Sequence, residues 1–222
     1  MFYATHEPHG LKYNPFKALI VPRPIGWIST VNKNGVGNLA PYSFFNGIAD
    51  QPPIVVIGCV GAHADGGLKD TLVNIEDTGE FVVNIVVWEL RDQMNQTAAA
   101  TPRDIDEMRL AGLTPAPSRM VKPPRVAESP VALECRHLQT VDLPSTRSIP
   151  NRAVFGQVVG IYINDDIIRN GVIDMTRFHP LARMGYHDYA VVRDVFTITK
   201  PPGVDPLVAN PAYMSSEPDS TK

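Results

Sequence analysis

Cysteine is nearly missing from this chain. Only Cys59 and Cys135 occur in 222 residues, far apart, each inside an apolar, strand-like run. No CxxC pair and no Cys/His ligand spacing exists. A disulfide framework and a structural metal site are therefore excluded, and both cysteines read as buried free thiols suited to a reducing cytoplasm. The six histidines contain no HExxH-type pair, so no catalytic metal is expected either. An excess of one charge sign is also lacking: 20 Lys and Arg stand against 23 Asp and Glu, for a net charge of −3. That balance gives no electrostatic reason to expect nucleic acid or an anionic membrane as partner. No apolar run approaches the roughly 20 residues of a membrane helix. Met1 to Gly10 lacks the basic and apolar regions of a signal peptide. GxSxG, GxGxxG and GxxxxGK[ST] are all absent, which leaves a hydrolase elbow, a Rossmann dinucleotide site and a P-loop unsupported.

What is present describes a folded globular chain, with 44% hydrophobic and 19% charged residues. Proline is abundant, 21 in all, so short elements and many ordered turns are expected. Residues 1–18 read as a surface arm and Ala18–Val21 as a short strand. Ile25–Val31 reads as a strand, Asn34-Gly35 as its hairpin turn, and Val36–Ala40 as the return strand, ended by Pro41. Ile54–Val60 has the β-branched content of a central strand. Leu68, Leu72 and Ile75 lie on one face of a helix entered at Gly66-Gly67 and stopped at Gly79. Glu80–Val87 follows as a strand, then helices over Trp88–Ala100 and Asp104–Ala111, the second capped by Asp104. Thr114–Pro130 reads as an extended connector. Val131–Val141, Val154–Ile163 and Tyr189–Thr199 are strand-like, and residues 201–222 form a tail. No β-α-β alternation and no domain linker occur. The order predicts one mainly β domain over residues 1–200, an antiparallel barrel with helical insertions.

Three fragments between Arg23 and Thr71 carry candidate chemistry. In Gly67-Leu68-Lys69-Asp70-Thr71, unpaired amides at a helix start, the Lys69 ammonium and the Thr71 hydroxyl would suit a phosphate. In Trp27-Ile28-Ser29-Thr30, alternation puts Ser29 and Thr30 on opposite faces, so one can meet a ligand while the other faces solvent. In Asn38 to Asn46, a proline break before Tyr42-Ser43-Phe44-Phe45-Asn46 would free backbone groups for the heteroatom edge of a flat ring. Ser43 and Asn46 would supplement them, and Phe44 or Phe45 would lie against the ring. Taken singly, the three also suit an ordinary helix start, ordinary strand hydroxyls and a proline corner with core aromatics.

In order they are more specific. Arg23-Pro24-Ile25-Gly26, Thr30, Gly35, Asn38-Leu39-Ala40-Pro41-Tyr42-Ser43-Phe44-Phe45, Pro52-Pro53, Lys69-Asp70-Thr71 and Gly79-Glu80-Phe81-Val82-Val83-Asn84 together resemble the flavin reductase-like, FMN-binding split-barrel family. The similarity continues through Asp106-Glu107, Glu128-Ser129-Pro130-Val131, Gly156-Gln157-Val158-Val159 and Pro180-Leu181-Ala182-Arg183. The resemblance implies a Greek-key split barrel, a homodimer, and FMN near the subunit interface. It places Thr30, Lys69 and Thr71 at the phosphate and ribityl end. Asn38, Ala40, Ser43, Phe44 and Asn46 would line the flavin, and Arg183 would approach its pocket. Many short two-component reductases of the family carry Gly-Asp-His before the strand matching Val154–Val159. Here Pro150-Asn151-Arg152-Ala153 stands there, and the chain looks more like the flavoredoxin-like branch. The implied activity is an FMN-dependent oxidoreductase, with NAD(P)H-linked reduction of flavin or a small acceptor, including a partner oxygenase. The alternatives are a flavoprotein electron carrier, and an enzyme acting directly on a small aromatic or nitrogen-containing substrate in a pocket shaped by residues 88–112. No side chain stands out as a catalytic acid or base; Arg183, His187 and Tyr189 are candidates by position only.

Overall fold

The computed structural model of the chain describes residues 1–198 and Pro201. The expected tail, 201–222, lies outside the described residues but for Pro201. In chain order the elements are α1 (Phe16–Leu19), β1 (Arg23–Pro24), β2 (Gly26–Val31), β3 (Gly37–Tyr42), β4 (Phe45–Asp50), β5 (Pro53–Cys59), α2 (Asp70–Thr78) and β6 (Glu80–Ile85). Then come a 3-10 turn (Trp88–Leu90), α3 (Arg91–Gln96), α4 (Glu107–Leu110), β7 (Pro115–Ala116), β8 (Arg125–Val126), β9 (Val131–Leu143) and β10 (Asn151–Ile163). A 3-10 turn (Asp165–Ile167), β11 (Ile168–Arg169), β12 (Val172–Ile173), β13 (Leu181–Arg183) and β14 (Tyr189–Val191) complete the chain. Among the described residues, no helix is long and apolar enough to cross a membrane.

Seven strands form one antiparallel sheet in the order β3-β2-β6-β9-β10-β5-β4. Its two edges, β3 and β4, are consecutive in the chain and joined by only Ser43 and Phe44. So short a link between opposite edges forces the sheet to curl until they meet at the Tyr42–Phe45 corner. No ladder joins β3 to β4, so the barrel closes at this corner and stays split along its length. The mainly β, split-barrel architecture is thus as expected. Its interior holds Ile28, Ile57, Phe81, Val83, Cys135 and Val154, with Leu72 and Ile75 of α2 sealing one side. A second cluster around Trp27, Leu39, Val86, Leu90, Met94 and Met108 packs α3 and α4 on the other face.

Several local expectations are corrected. Ala18–Val21 is not a strand: residues 16–19 form a helical turn whose Ala18 and Leu19 amides donate to the Pro15 carbonyl. Pro41 does not end β3, which runs on to Tyr42. Because β3 is an edge strand, a residue lacking an N–H is tolerated there. Residues 45–50, for which no element was expected, form β4 against β5. The single helix expected over Trp88–Ala100 is split into a 3-10 turn and α3, after which the Thr97 hydroxyl donates back to the Met94 carbonyl at 2.9 Å. The cap of α4 is Asp106, not Asp104: its Oδ1 accepts the Met108 and Arg109 amides at 3.0 and 3.3 Å. Within the connector 114–130, β7 and β8 pair as a small ribbon. The strand expected over Tyr189–Thr199 ends at Val191, and Thr199 lies outside the described residues.

Candidate functional site

The site is built where the barrel closes. Tyr42 ends β3 and is buried, Ser43 and Phe44 turn the corner, and the Phe44 carbonyl accepts the Gly58 amide of β5 at 2.7 Å. This approach requires glycine: a Cβ on Gly58 would lie 2.8 Å from the Phe44 Cβ, below any real contact. Backbone packing thus fixes the Phe44 position before any ligand is considered.

Inside the corner, a recess of about 180 Å³ is lined by Asn38, Ala40, Tyr42, His63, Lys69, Asp70, Thr71, residues 97–101 and Glu107. Helix α2 starts here. The Leu72 and Val73 amides both donate to the Lys69 carbonyl. The amides of Asp70 and Thr71 then have no acceptor within the helix, which is the usual state of a first turn. The Asn38 side-chain amide donates to Thr71 Oγ1 at 2.9 Å and to Thr30 Oγ1 at 3.2 Å, and Asn74 donates to Thr30 at 3.0 Å. Thr30 is fully buried beneath the recess. The expectation that one of Ser29 and Thr30 faces solvent is wrong, since Ser29 is buried too. Its hydroxyl donates to the Pro124 carbonyl at 2.6 Å, so the connector covers the face that α2 does not.

The charges of the recess are unequally satisfied. Asp70 is held by Arg103, with His63 Nε2 3.5 Å from its other oxygen. Glu107, buried, accepts the Leu39 amide at 3.0 Å and the Thr101 hydroxyl at 2.5 Å. Arg103 and the Gly67 amide also hold the Asp65 carboxyl well below the usual carboxylate range. Lys69 has no carboxylate partner among the described residues; its ammonium lies 5.7 Å from the centre of the Tyr42 ring. Burial pushes the Tyr42 phenol far up, so it stays neutral and bonds the Thr71 hydroxyl. A cation, a buried hydroxyl and free helix amides facing one recess form a donor set for an anionic oxygen group.

The structure brings Asn38, Ala40, Lys69 and Thr71 together in this recess, with Thr30 behind them. Ser43 and Arg183 line a second recess beyond the corner, with Lys17 and Arg23. Phe44 stands near that second recess, 5.8 Å from the Lys17 ammonium. Asn46 lies apart, on exposed β4, with its Oδ1 accepting the Gly47 amide at 2.9 Å. Sequence reasoning did not single out Lys17, His63 or Arg103, whereas the wall 97–101 falls within residues 88–112, which were expected to shape a pocket. Asn151 and Arg152 enter neither recess. Asn151 Nδ2 donates to the Pro144 carbonyl at 2.9 Å, while Arg152 Nε bonds Asp142 at 2.7 Å and its Nη1 lies 3.4 Å from Glu76.

An antiparallel barrel closed at one corner, with a donor-rich helix start beside it, defines a split-barrel protein built around that corner. Residues 18–185 match the Flavin reductase like domain, and the chain belongs to the flavin reductase-like family. Its structure is similar to nitrilotriacetate monooxygenase component B from Bacillus cereus, with TM-score 0.81 and 31% identity over 89% of this chain and 98% of that one. It is similar to the 2-nitrobenzoate 2-nitroreductase of Pseudomonas fluorescens, with TM-score 0.78 and 28% identity over 92% and 98%. The flavoredoxin of Desulfovibrio vulgaris (Miyazaki F) has the same fold at TM-score 0.72 and 16% identity, over 91% and 100% of the two chains.

Proposed function

We propose that the protein is an FMN-dependent oxidoreductase using NAD(P)H to reduce flavin or a small acceptor. The observation that carries the reading is the Lys69 ammonium without a carboxylate partner, beside Thr71, Asn38 and the open start of α2. These residues fit a phosphate monoester. The recess volume, about 180 Å³, is below the roughly 300 Å³ at which pockets enclose a whole drug-sized ligand. It suits the phosphate and ribityl end, leaving the ring along Ala40, Ser43 and Phe44, with Asn46 further out on β4. Ser43, Phe44 and Phe45 are only half-buried in one chain, which favours a homodimer in which a second copy would cover the ring.

When bound, FMN would supply the hydride and electron chemistry. The chain's part is positional. Lys69 and the α2 amides would anchor the phosphate, Asn38 would hold Thr71 in place, and the rigid Phe44 corner would set the ring plane. The test is oxidation of NADH and NADPH by the FMN-loaded protein, with free FMN as acceptor. Turnover with one nucleotide supports the reading, and no turnover with either, despite bound flavin, removes the reductase. The half-exposed corner favours a second reading, a flavoprotein electron carrier, which predicts bound FMN reduced only through a partner protein.

A further inference from the structure

The second recess, on the far side of the corner, encloses about 300 Å³ and is lined by Asn14, Lys17, Arg23, Ser43, Arg183 and Tyr186. Three of these six are cations and none is an acid. Arg23 and Arg183 face each other in register across the β1–β13 ladder. Like charges directly opposite destabilise a strand pair, so this arrangement is costly without an anion. None of the three cations forms an ion pair with a carboxylate among the described residues. Arg23, although buried, is satisfied by carbonyls: Lys17, Ile20 at 2.7 Å and Met184 at 3.0 Å, with Ser43 Oγ at 3.4 Å. Arg183 donates to the Tyr189 hydroxyl and the Tyr186 carbonyl, which leaves part of its five-donor fork free. The Lys17 ammonium makes no hydrogen bond among the described residues and projects over Phe44.

The backbone carrying these cations is closely packed at the β13–β14 turn. Gly185 touches Ala18 so closely that an added Cβ would meet its backbone Cα at 2.9 Å, which docks α1 and Lys17 against the β13–β14 turn. Tyr13 and Tyr186 pack ring to ring at 5.6 Å. Burial and the Arg183 charge both press the Arg23 guanidinium below its ordinary value, as expected of a cation lacking its counter-charge.

We propose that this recess is an oxyanion subsite that holds the carboxylate or phosphate of the second substrate, the molecule exchanging electrons with flavin at the Phe44 corner. The assignment to a second substrate rests on the FMN reading above; the oxyanion site itself does not. The geometry gives Lys17 and Arg183 the direct contacts, and gives Arg23 the buried charge behind them.

Calorimetric titration of the FMN-treated full chain with sodium benzoate and with adenosine 2′-monophosphate tests this, with benzamide and adenosine as uncharged controls. One anion is expected to saturate the wild type while its control does not, and which one binds separates a carboxylic acid from a nucleotide phosphate. Lys17→Gln and Arg183→Gln should each weaken it about tenfold or more, the effect of one charge-assisted bond. Lys17→Gln keeps the backbone carbonyl that Arg23 uses, so the fold is retained, and a thermal melt of each variant checks this. Neither anion saturating the wild type, or either variant binding it unchanged, overturns the proposal. Flavin absorbance of the same samples reports the cofactor separately: anion binding by a chain that holds no flavin would refute the FMN reading and leave the subsite standing.

Discussion

Replacing Lys69 by Met separates ligand binding from folding, because the two respond with opposite sign. Lys69 is the N-cap of α2, in extended conformation, and its side chain caps nothing. A positive charge at a helix start opposes the macrodipole, at a cost of about 0.3–1 kcal/mol for an exposed site. Lys69 has no carboxylate partner among the described residues to offset that cost. Without ligand, Lys69→Met should therefore leave stability unchanged or raise it by up to about 1 kcal/mol. With FMN, the same change removes a charge-assisted bond to phosphate, about 1.5–3 kcal/mol, or roughly a tenfold to hundredfold rise in Kd. Urea unfolding of the flavin-free protein reads the first effect, and quenching of FMN fluorescence reads the second. A variant that loses more than about 1 kcal/mol of stability while binding FMN as before would rule out this role for Lys69. Lys69 would then be a structural residue and the recess no phosphate site.

Other outcomes follow from the core and the caps. Phe81, fully buried and packed where Gly156 leaves room, should cost about 3–5 kcal/mol on replacement by Ala, read by urea unfolding. Asp106→Ala removes both amide contacts of the α4 cap and should cost about 1 kcal/mol, whereas Asp104→Ala should cost nothing measurable. The Cys59 thiol is pushed up to about 12 by burial, so it should resist alkylation at neutral pH in the native state and react on unfolding. Its raised value favours the protonated form. The stability linked to it is complete below the ordinary thiol range and is lost as pH rises towards 12, which unfolding midpoints of wild type and Cys59→Ala compared across that range would show.

Local signals were legible where sequence and tertiary context agree. Asn34-Gly35 marks the β2–β3 hairpin, and Leu72 and Ile75 mark the buried face of α2, because turn chemistry and periodicity are set within a few residues. The corner was half-legible. Ala40-Pro41 signalled a break, but Pro41 is tolerated on an edge, and the edge position depends on the sheet order, which no local pattern encodes. Asp104, three residues before Glu107, carries the sequence signature of a cap and Asp106 does not; only the fold makes Asp106 the one the helix uses. The cation recess was invisible for the same reason. Lys17 lies in an arm without periodicity, and it meets Arg183 only through the Arg23–Arg183 register and the Gly185–Ala18 contact.

On the proposed function, the corner and the start of α2 together cradle FMN. The most direct measurement is the visible spectrum and FMN-to-chain ratio of the wild-type protein, incubated with FMN and freed of excess by gel filtration. An FMN cradle there gives a yellow protein with one FMN per chain, and a Lys69→Met variant that emerges largely colourless. A folded wild-type protein that emerges colourless, or a variant that keeps its flavin in full, would contradict it.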